Sequence, residues 1–178
     1  MPTLDYVCPV AGALREASVP DPARVYSEIA GLRRLVCPEE ILSVLYGNVD
    51  IGDFPRTKFL ALIQKFIGHL YVSASLIGDP KTRKPDFEKL EDVDEVWVMC
   101  FRDPKMSQWR LMGRFVERDY FVGLCLFCRT YLGNRRHYNS VAEQFAQDWV
   151  VKTGNMKFLR GTSVNEYFSK PCGDVYAA

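Results

Sequence analysis

The 178-residue chain contains no glycine-rich phosphate loop, no GxSxG elbow, no HExxH pair and no dinucleotide fingerprint. P-loop hydrolysis, α/β-hydrolase chemistry, zincin-type proteolysis and Rossmann cofactor binding therefore have no support in the sequence. Histidine is scarce: His69 and His137 are the two in the chain, little material for a metal cage, and no flanking sequence makes either the base of a serine or cysteine triad. No apolar run approaches the roughly 18 residues of a membrane helix, so no membrane partner is expected. The first residues, MPTLDYVCPVAGALREAS, lack the basic start and continuous apolar block of a secretory leader, and the expected location is the cytoplasm. Internal repeats and low-complexity tracts are also missing. No cofactor is expected.

What is present is a globular composition, 48% hydrophobic and 25% charged, in a length that suits one domain over 1–178. Six cysteines lie mostly inside apolar runs and read as reduced thiols. Cys125 and Cys128 form a lone CxxC, but in a strand positions three apart point to opposite faces, and no second pair occurs downstream; no metal site is expected. The net charge of +1 hides a local excess: between Arg102 and His137, eight basic residues against three acidic ones leave +5. Such segregation is what an anion-binding face would show.

Residues 1–19 read as an irregular arm with a helical turn around Ala11 to Ala17, and 20–77 as a helical part. Asp21 as N-cap, Pro22, and the stripe Val25, Ile29, Leu32 and Val36 predict a first helix. Glu39 and Glu40 open a short second one through Tyr46, stopped by Gly47. The longest helix is expected from Pro55 to about Ser75, capped by Asp53, with Phe59, Leu62, Ile63, Phe66, Leu70, Tyr71 and Ala74 on its apolar face. His69 at the edge of that face fits a structural histidine. A polar loop over 77–94 hands over to a β-meander at 93–132: Val96–Phe101, Gln108–Val116 and Tyr120–Tyr131, joined by short turns. Alternation in the second strand puts Arg110 and Arg114 on one face and Trp109, Leu111 and Phe115 on the other. Over 139–170 helix returns, with Ser140/Glu143 and Ser163/Glu166 as capping boxes and Ala142, Phe145 and Trp149 on the buried side. The expected class is α+β, an antiparallel meander of three or more strands with helices packed on one side.

The chemistry is concentrated in the strand arginines and the adjoining RTYLGNRRHYNS, residues 129–140. Guanidinium groups fork onto phosphates and tyrosines stack on unpaired bases, a mixture suited to single-stranded RNA. The competing explanation is a solvated sheet face whose arginine stems cover apolar surface. The stretch KPDFEKLEDVDEVWVMCFRDPKMSQWRLMGRFVERDYFVGLCLFCRTYLG resembles the sheet of the RelE/ParE-like toxin superfamily and its phage-derived relatives. Lys89-Leu90, Glu95-Val96-Trp97, Trp109-Arg110 and the apolar strand ending at Arg129 fall in the family's order, over roughly residues 55–133. The resemblance implies metal-free cleavage of RNA, with Arg110 on the scissile phosphate, Arg129 as second basic group, and Tyr131, His137 or Tyr138 in proton transfer. Arg114, Arg135, Arg136 and Tyr138 would bind the nucleic acid. It also implies an antitoxin over the basic face. The chain departs from the family in its long N-terminal portion, where seven acidic residues stand against four arginines over residues 1–50, and in lacking basic helices; ParE-type relatives act on DNA gyrase instead.

The expected function is thus a toxin-like endoribonuclease. The alternative is a non-enzymatic protein of mobile-element or phage origin that binds a partner protein. The enzyme requires Arg110, Arg129 and Tyr131 to Tyr138 around one open cleft, whereas a binding module buries or pairs these arginines and exposes apolar surface elsewhere.

Overall fold

The structure, a computed structural model, describes residues 6–7, 14–16, 33–77, 84–101, 108–129, 135–170 and 172–174. Its centre is a meander: β5 (Phe87–Lys89), β6 (Trp97–Phe101), β7 (Trp109–Glu117) and β8 (Tyr120–Cys128) pair antiparallel in sequence order. β-branched and aromatic residues, with a tight link between β7 and β8, favour this locally. The β7–β8 turn is made by Arg118 and by Asp119, which takes a left-handed φ of 64°. The register shifts between Met112 and Gly113 and again between Phe115 and Glu117. At the first shift the strands approach so closely that a Cβ on Gly113 would lie 2.2 Å from the Val122 carbonyl oxygen, so that position takes glycine.

Around the meander the sheet is mixed. β3 (Arg34–Pro38) runs parallel to the start of β8, β2 (Leu14–Glu16) pairs antiparallel with β3, and β1 (Tyr6–Val7) pairs antiparallel with the end of β8. On the other flank β4 (Val72–Ser75) is parallel to both β5 and β9 (Cys172–Asp174). The order is β2-β3-β8-β7-β6-β5-β4-β9, with β1 beside β8. The α+β class is as expected; a purely antiparallel sheet is not what forms.

Both faces are covered. On one, α1 (Glu39–Tyr46), α2 (Arg56–Ile67) and α4 (Val164–Tyr167) pack Leu45, Phe59, Phe66 and Tyr167 against Trp97, Trp109, Leu111, Phe115 and Phe121. On the other, α3 (Arg135–Thr153) lays Ala142, Phe145 and Trp149 on Val98, Met112, Val122, Cys125 and Phe127. The helical cover expected on one side of the sheet is therefore corrected to three layers.

Several local expectations change for identifiable reasons. Where the first helix was expected to reach Val36, Arg34–Pro38 form β3; Val25, Ile29 and Leu32 lie outside the described residues. Leu14–Glu16 is strand where a helical turn was expected. α1 forms as expected, and Gly47 closes it at φ 84° with its N–H donating to the Val44 carbonyl. α2 ends at Ile67, well short of the expected Ser75, because His69 turns left-handed at φ 56°. Leu70 and Tyr71 then face solvent, while Val72 and Ala74 enter the core from a strand. Pro55, not Asp53, stands at the N-cap of α2, without a side-chain cap. The loop expected over 77–94 contains β5. α3 starts at Arg135, so Ser140 lies inside it rather than capping it. In the second proposed capping box, Glu166 does reach back, accepting from the Thr162 N–H at 3.2 Å, but Ser163 makes no cap bond to the backbone.

Candidate nucleic-acid interface

The alternation of β7 is as the sequence implied, but its consequence differs. α3 covers the arginine face, leaving Arg110 2% and Arg114 4% exposed. Arg110 donates from Nη1 to the Trp109 carbonyl at 3.0 Å and from Nη2 to Gln108 Oε1 at 3.4 Å. Arg114 donates from Nη2 to the Asp94 carbonyl at 2.9 Å, and its guanidinium lies over Phe158 at 4.0 Å and Trp149 at 5.2 Å. Its Nε has no hydrogen-bond partner. Burial pulls the Arg114 pKa down; Asp94 and Glu95 act the other way. Neither arginine presents its fork to an open cleft.

The remaining candidates gather where β8 hands over to α3. Arg129 directly succeeds β8, is exposed, and has its guanidinium 5.7 Å from the centre of the Tyr138 ring. Its backbone N–H donates to the Gln108 carbonyl at 2.7 Å, which fixes its place at the end of the sheet. Tyr138 packs edge-on against Phe127 at 5.7 Å. Burial pushes its hydroxyl well above the ordinary phenol range; Cys100 and Glu88 add to this, and Arg110 and Arg129 oppose it. The shift favours the protonated hydroxyl. His137 is exposed one position earlier, after Arg135 and Arg136 in the helix's opening turn. Tyr131 lies outside the described residues. Arg110, Arg129 and Tyr138 thus belong to one corner, with Arg110 beneath it and Arg114 further along the sheet.

Sequence reasoning did not single out two buried ionic networks. Lys89 Nζ meets Glu95 Oε1 at 2.7 Å, and the Tyr167 hydroxyl donates to Glu95 Oε2 at 2.5 Å while accepting from the Gly161 N–H at 2.6 Å. Burial first, then the Glu95 carboxylate, push the Tyr167 hydroxyl up. Arg33, 1% exposed, pairs through Nε with Asp119 Oδ1 at 3.1 Å and donates to the carbonyls of Leu70 at 2.8 Å and Ser169 at 2.6 Å. Both networks are internally satisfied and tie the C-terminal segment to the sheet. The available signals were weak: Glu95 and Asp119 both take positive φ, which a sequence shows only as acidic residues in turns.

Cys125 belongs to the layer under α3 and Cys128 to the opposite one, so one ion cannot reach both. Among the described residues no cluster of three or more histidine, cysteine or acidic side chains is placed to hold a metal. Nor does any described helix have the length and apolarity to cross a membrane.

Compared with known proteins, the chain matches no family model, and no curated protein and no solved structure is significantly similar to it.

Proposed function

We propose that this protein binds single-stranded RNA at the β8–α3 corner and cleaves it there without a metal, in the manner of a RelE/ParE-like toxin. One observation carries the reading. α3 opens with Arg135, Arg136 and His137 and has no acidic residue in its first turn. A helix N-terminus carries roughly half a positive charge and favours acidic side chains. Basic residues there oppose the dipole, and a bound phosphate relieves that opposition. Arg129 stands exposed beside the same turn.

On this reading Arg129, Arg135 and Arg136 hold phosphates, and Arg110 contributes its charge from beneath. Tyr138 orients the Arg129 guanidinium through its ring. Metal-free RNA cleavage needs a group to take the 2′-hydroxyl proton as that oxygen attacks phosphorus, and one to protonate the departing 5′-oxygen. The resemblance gives these roles to His137 and Tyr131. A protein antitoxin would cover this corner.

The test is RNA-binding anisotropy between about 50 and 200 mM salt, with mapping of new 5′ ends after induced expression in bacteria. Arg129→Glu should weaken binding and flatten its salt dependence, and His137→Asn should abolish new ends while leaving binding. Intact RNA with unchanged growth on wild-type expression would overturn cleavage.

A second reading, a non-enzymatic partner-binding protein, is favoured by the burial of Arg110 and Arg114 and by exposed apolar residues near the end of α2 and β4: Leu70 at 59%, Tyr71 at 53% and Ile77 at 50%. It predicts no RNA affinity at any salt concentration.

A further inference from the structure

Two arginines meet around Phe158. The guanidinium of Arg114, on β7, lies 4.0 Å from the centre of the Phe158 ring, and that of Arg160 lies 5.0 Å from it. Both reach Asp94, in different ways. Arg160 donates from Nη2 to the carboxylate Oδ2 at 2.5 Å, whereas the buried Arg114 donates from Nη2 to the backbone carbonyl at 2.9 Å. Arg114 thus meets a dipole where Arg160 meets a charge. Its Nε has no hydrogen-bond partner, and among the described residues no carboxylate forms an ion pair with it.

The neighbouring acid cannot supply the missing charge, because Glu95 is committed to Lys89 at 2.7 Å and to the Tyr167 hydroxyl at 2.5 Å. Two guanidiniums therefore share the single carboxylate of Asp94. Burial pulls the Arg114 pKa down and repulsion from Arg160 adds to it, while Asp94 and Glu95 act the other way. A buried cation without a counter-charge is costly to the fold. The open side of the cluster is the Asp94–Arg160 pair, whose side chains are 58% and 67% exposed. Pairs this exposed are held weakly, so an external anion can displace the Asp94 carboxylate at little cost.

We propose that Arg160 and Arg114 form a binding site for a phosphate dianion, free or as a monoester, and that the Asp94 carboxylate is the internal occupant the ligand displaces. Charge selects the ligand. An incoming carboxylate only replaces the one that leaves, and so does the singly charged phosphodiester of an RNA backbone. A phosphate monoester carries close to two charges above its second pKa of about 6, one for each guanidinium. The forked donors of arginine suit its oxygens, and the Phe158 ring holds both cations in place. In the β7–β8 ladder Arg114 pairs with Val122, well away from the Trp109–Cys128 end that leads to Arg129. The site is therefore distinct from the β8–α3 corner and stands whether or not that corner binds RNA.

The test is calorimetric titration of inorganic phosphate into the full chain at fixed ionic strength and about pH 8, where phosphate is a dianion. While the Asp94 carboxylate is seated, apparent affinity is lowered by the fraction of time the seat is vacant. Asp94→Asn should therefore tighten phosphate binding about tenfold. Adding Arg160→Gln or Arg114→Met to Asp94→Asn should each weaken it about tenfold or more. Asp94→Ser provides the same comparison if the asparagine variant does not fold, and circular dichroism establishes folding in each case. Phenyl phosphate binding as tightly as inorganic phosphate supports a monoester as the ligand, and its exclusion supports the free ion. Equal phosphate affinity in wild type and all variants, or no binding to any, overturns the proposal. Acetate competing as well as phosphate overturns the assignment to a dianion.

Discussion

Arg33 and Arg114 are both buried arginines, and the structure gives them opposite energetic weight. Arg33 holds one carboxylate and two carbonyls, at 3.1, 2.8 and 2.6 Å. Replacing it with methionine keeps much of the volume but leaves Asp119, whose side chain is 15% exposed, with its Ser169 N–H contact and no cation. Removing one partner of a buried pair costs about 3–5 kcal/mol, and orphaned carbonyls add to it, so Arg33→Met should cost about 4 kcal/mol. Against a total stability of roughly 5–15 kcal/mol, this is a large fraction. Arg114 is desolvated, has one unpartnered nitrogen, and makes its hydrogen bond to a neutral carbonyl. Methionine against Phe158 and Trp149 keeps sulfur–aromatic contact, so Arg114→Met should change stability by no more than about 1 kcal/mol in either direction. With a urea m-value of about 2 kcal/mol/M, the unfolding midpoint should fall by about 2 M for the first variant and move by less than about 0.5 M for the second. Adding Asp119→Asn to Arg33→Met should cost little more, because asparagine tolerates the left-handed turn and can still accept from the Ser169 N–H while removing the carboxylate that has lost its cation. Equal midpoint shifts for the two arginines, or a larger one for Arg114→Met, would refute the reasoning.

Gly113→Ala forces a Cβ to 2.2 Å from the Val122 carbonyl oxygen and 2.9 Å from Gly123 Cα, both backbone atoms. It should destabilise by about 3 kcal/mol or more, and an unchanged urea midpoint would show that the β7–β8 approach is looser than described. Alkaline stability should report on Tyr138 and Tyr167, whose hydroxyls are both held above the ordinary value of 10.0 in the folded chain. Above about pH 10 the unfolded chain releases these protons first, so stability is complete below that pH and falls as pH rises towards the folded values. Thermal melts from about pH 9 to 11.5 should show this decline, shallower in Tyr138→Phe; a flat profile would contradict the burial of both hydroxyls.

The β7–β8 hairpin was legible because everything that makes it is local. Trp109 to Glu117 alternates, Asp119 turns the chain, and β8 begins at once. α1 announced itself in the same way through Glu39, Glu40 and Gly47. The parallel strands were not legible: β3, β4 and β9 are stabilised by partners far away in sequence, and none is long enough to show its own period. α2 illustrates the conflict. Its apolar periodicity continues into Leu70 and Tyr71, but the left-handed turn at His69 redirects the chain into β4. At the candidate site the alternation of Arg110 and Arg114 was read correctly as a face and incorrectly as an exposed one. The apolar neighbours on that face, Val98, Met112 and Cys125, and the stripe Ala142, Phe145 and Trp149 on α3, are complementary halves of one contact. A strand-by-strand reading does not join them. Arg129, His137 and Tyr138 were read together because they are near in sequence, and Arg129 and Tyr138 also lie together in space.

The pairing of β9 with β4 matters for the order in which the molecule can be made. Val72 meets Cys172, far downstream in sequence, and β4 sits between β9 and β5, so among the described strands one side of β4 waits until residues 172–174 have been synthesised. Until residues 172–174 clear the ribosome, a nascent chain carries β4 as a bare edge of the sheet. Long-range closure of this kind is slow, and the waiting intermediate is the species most prone to aggregate. Chains stalled or cut before Cys172 should consequently depend on chaperones far more than the finished protein does.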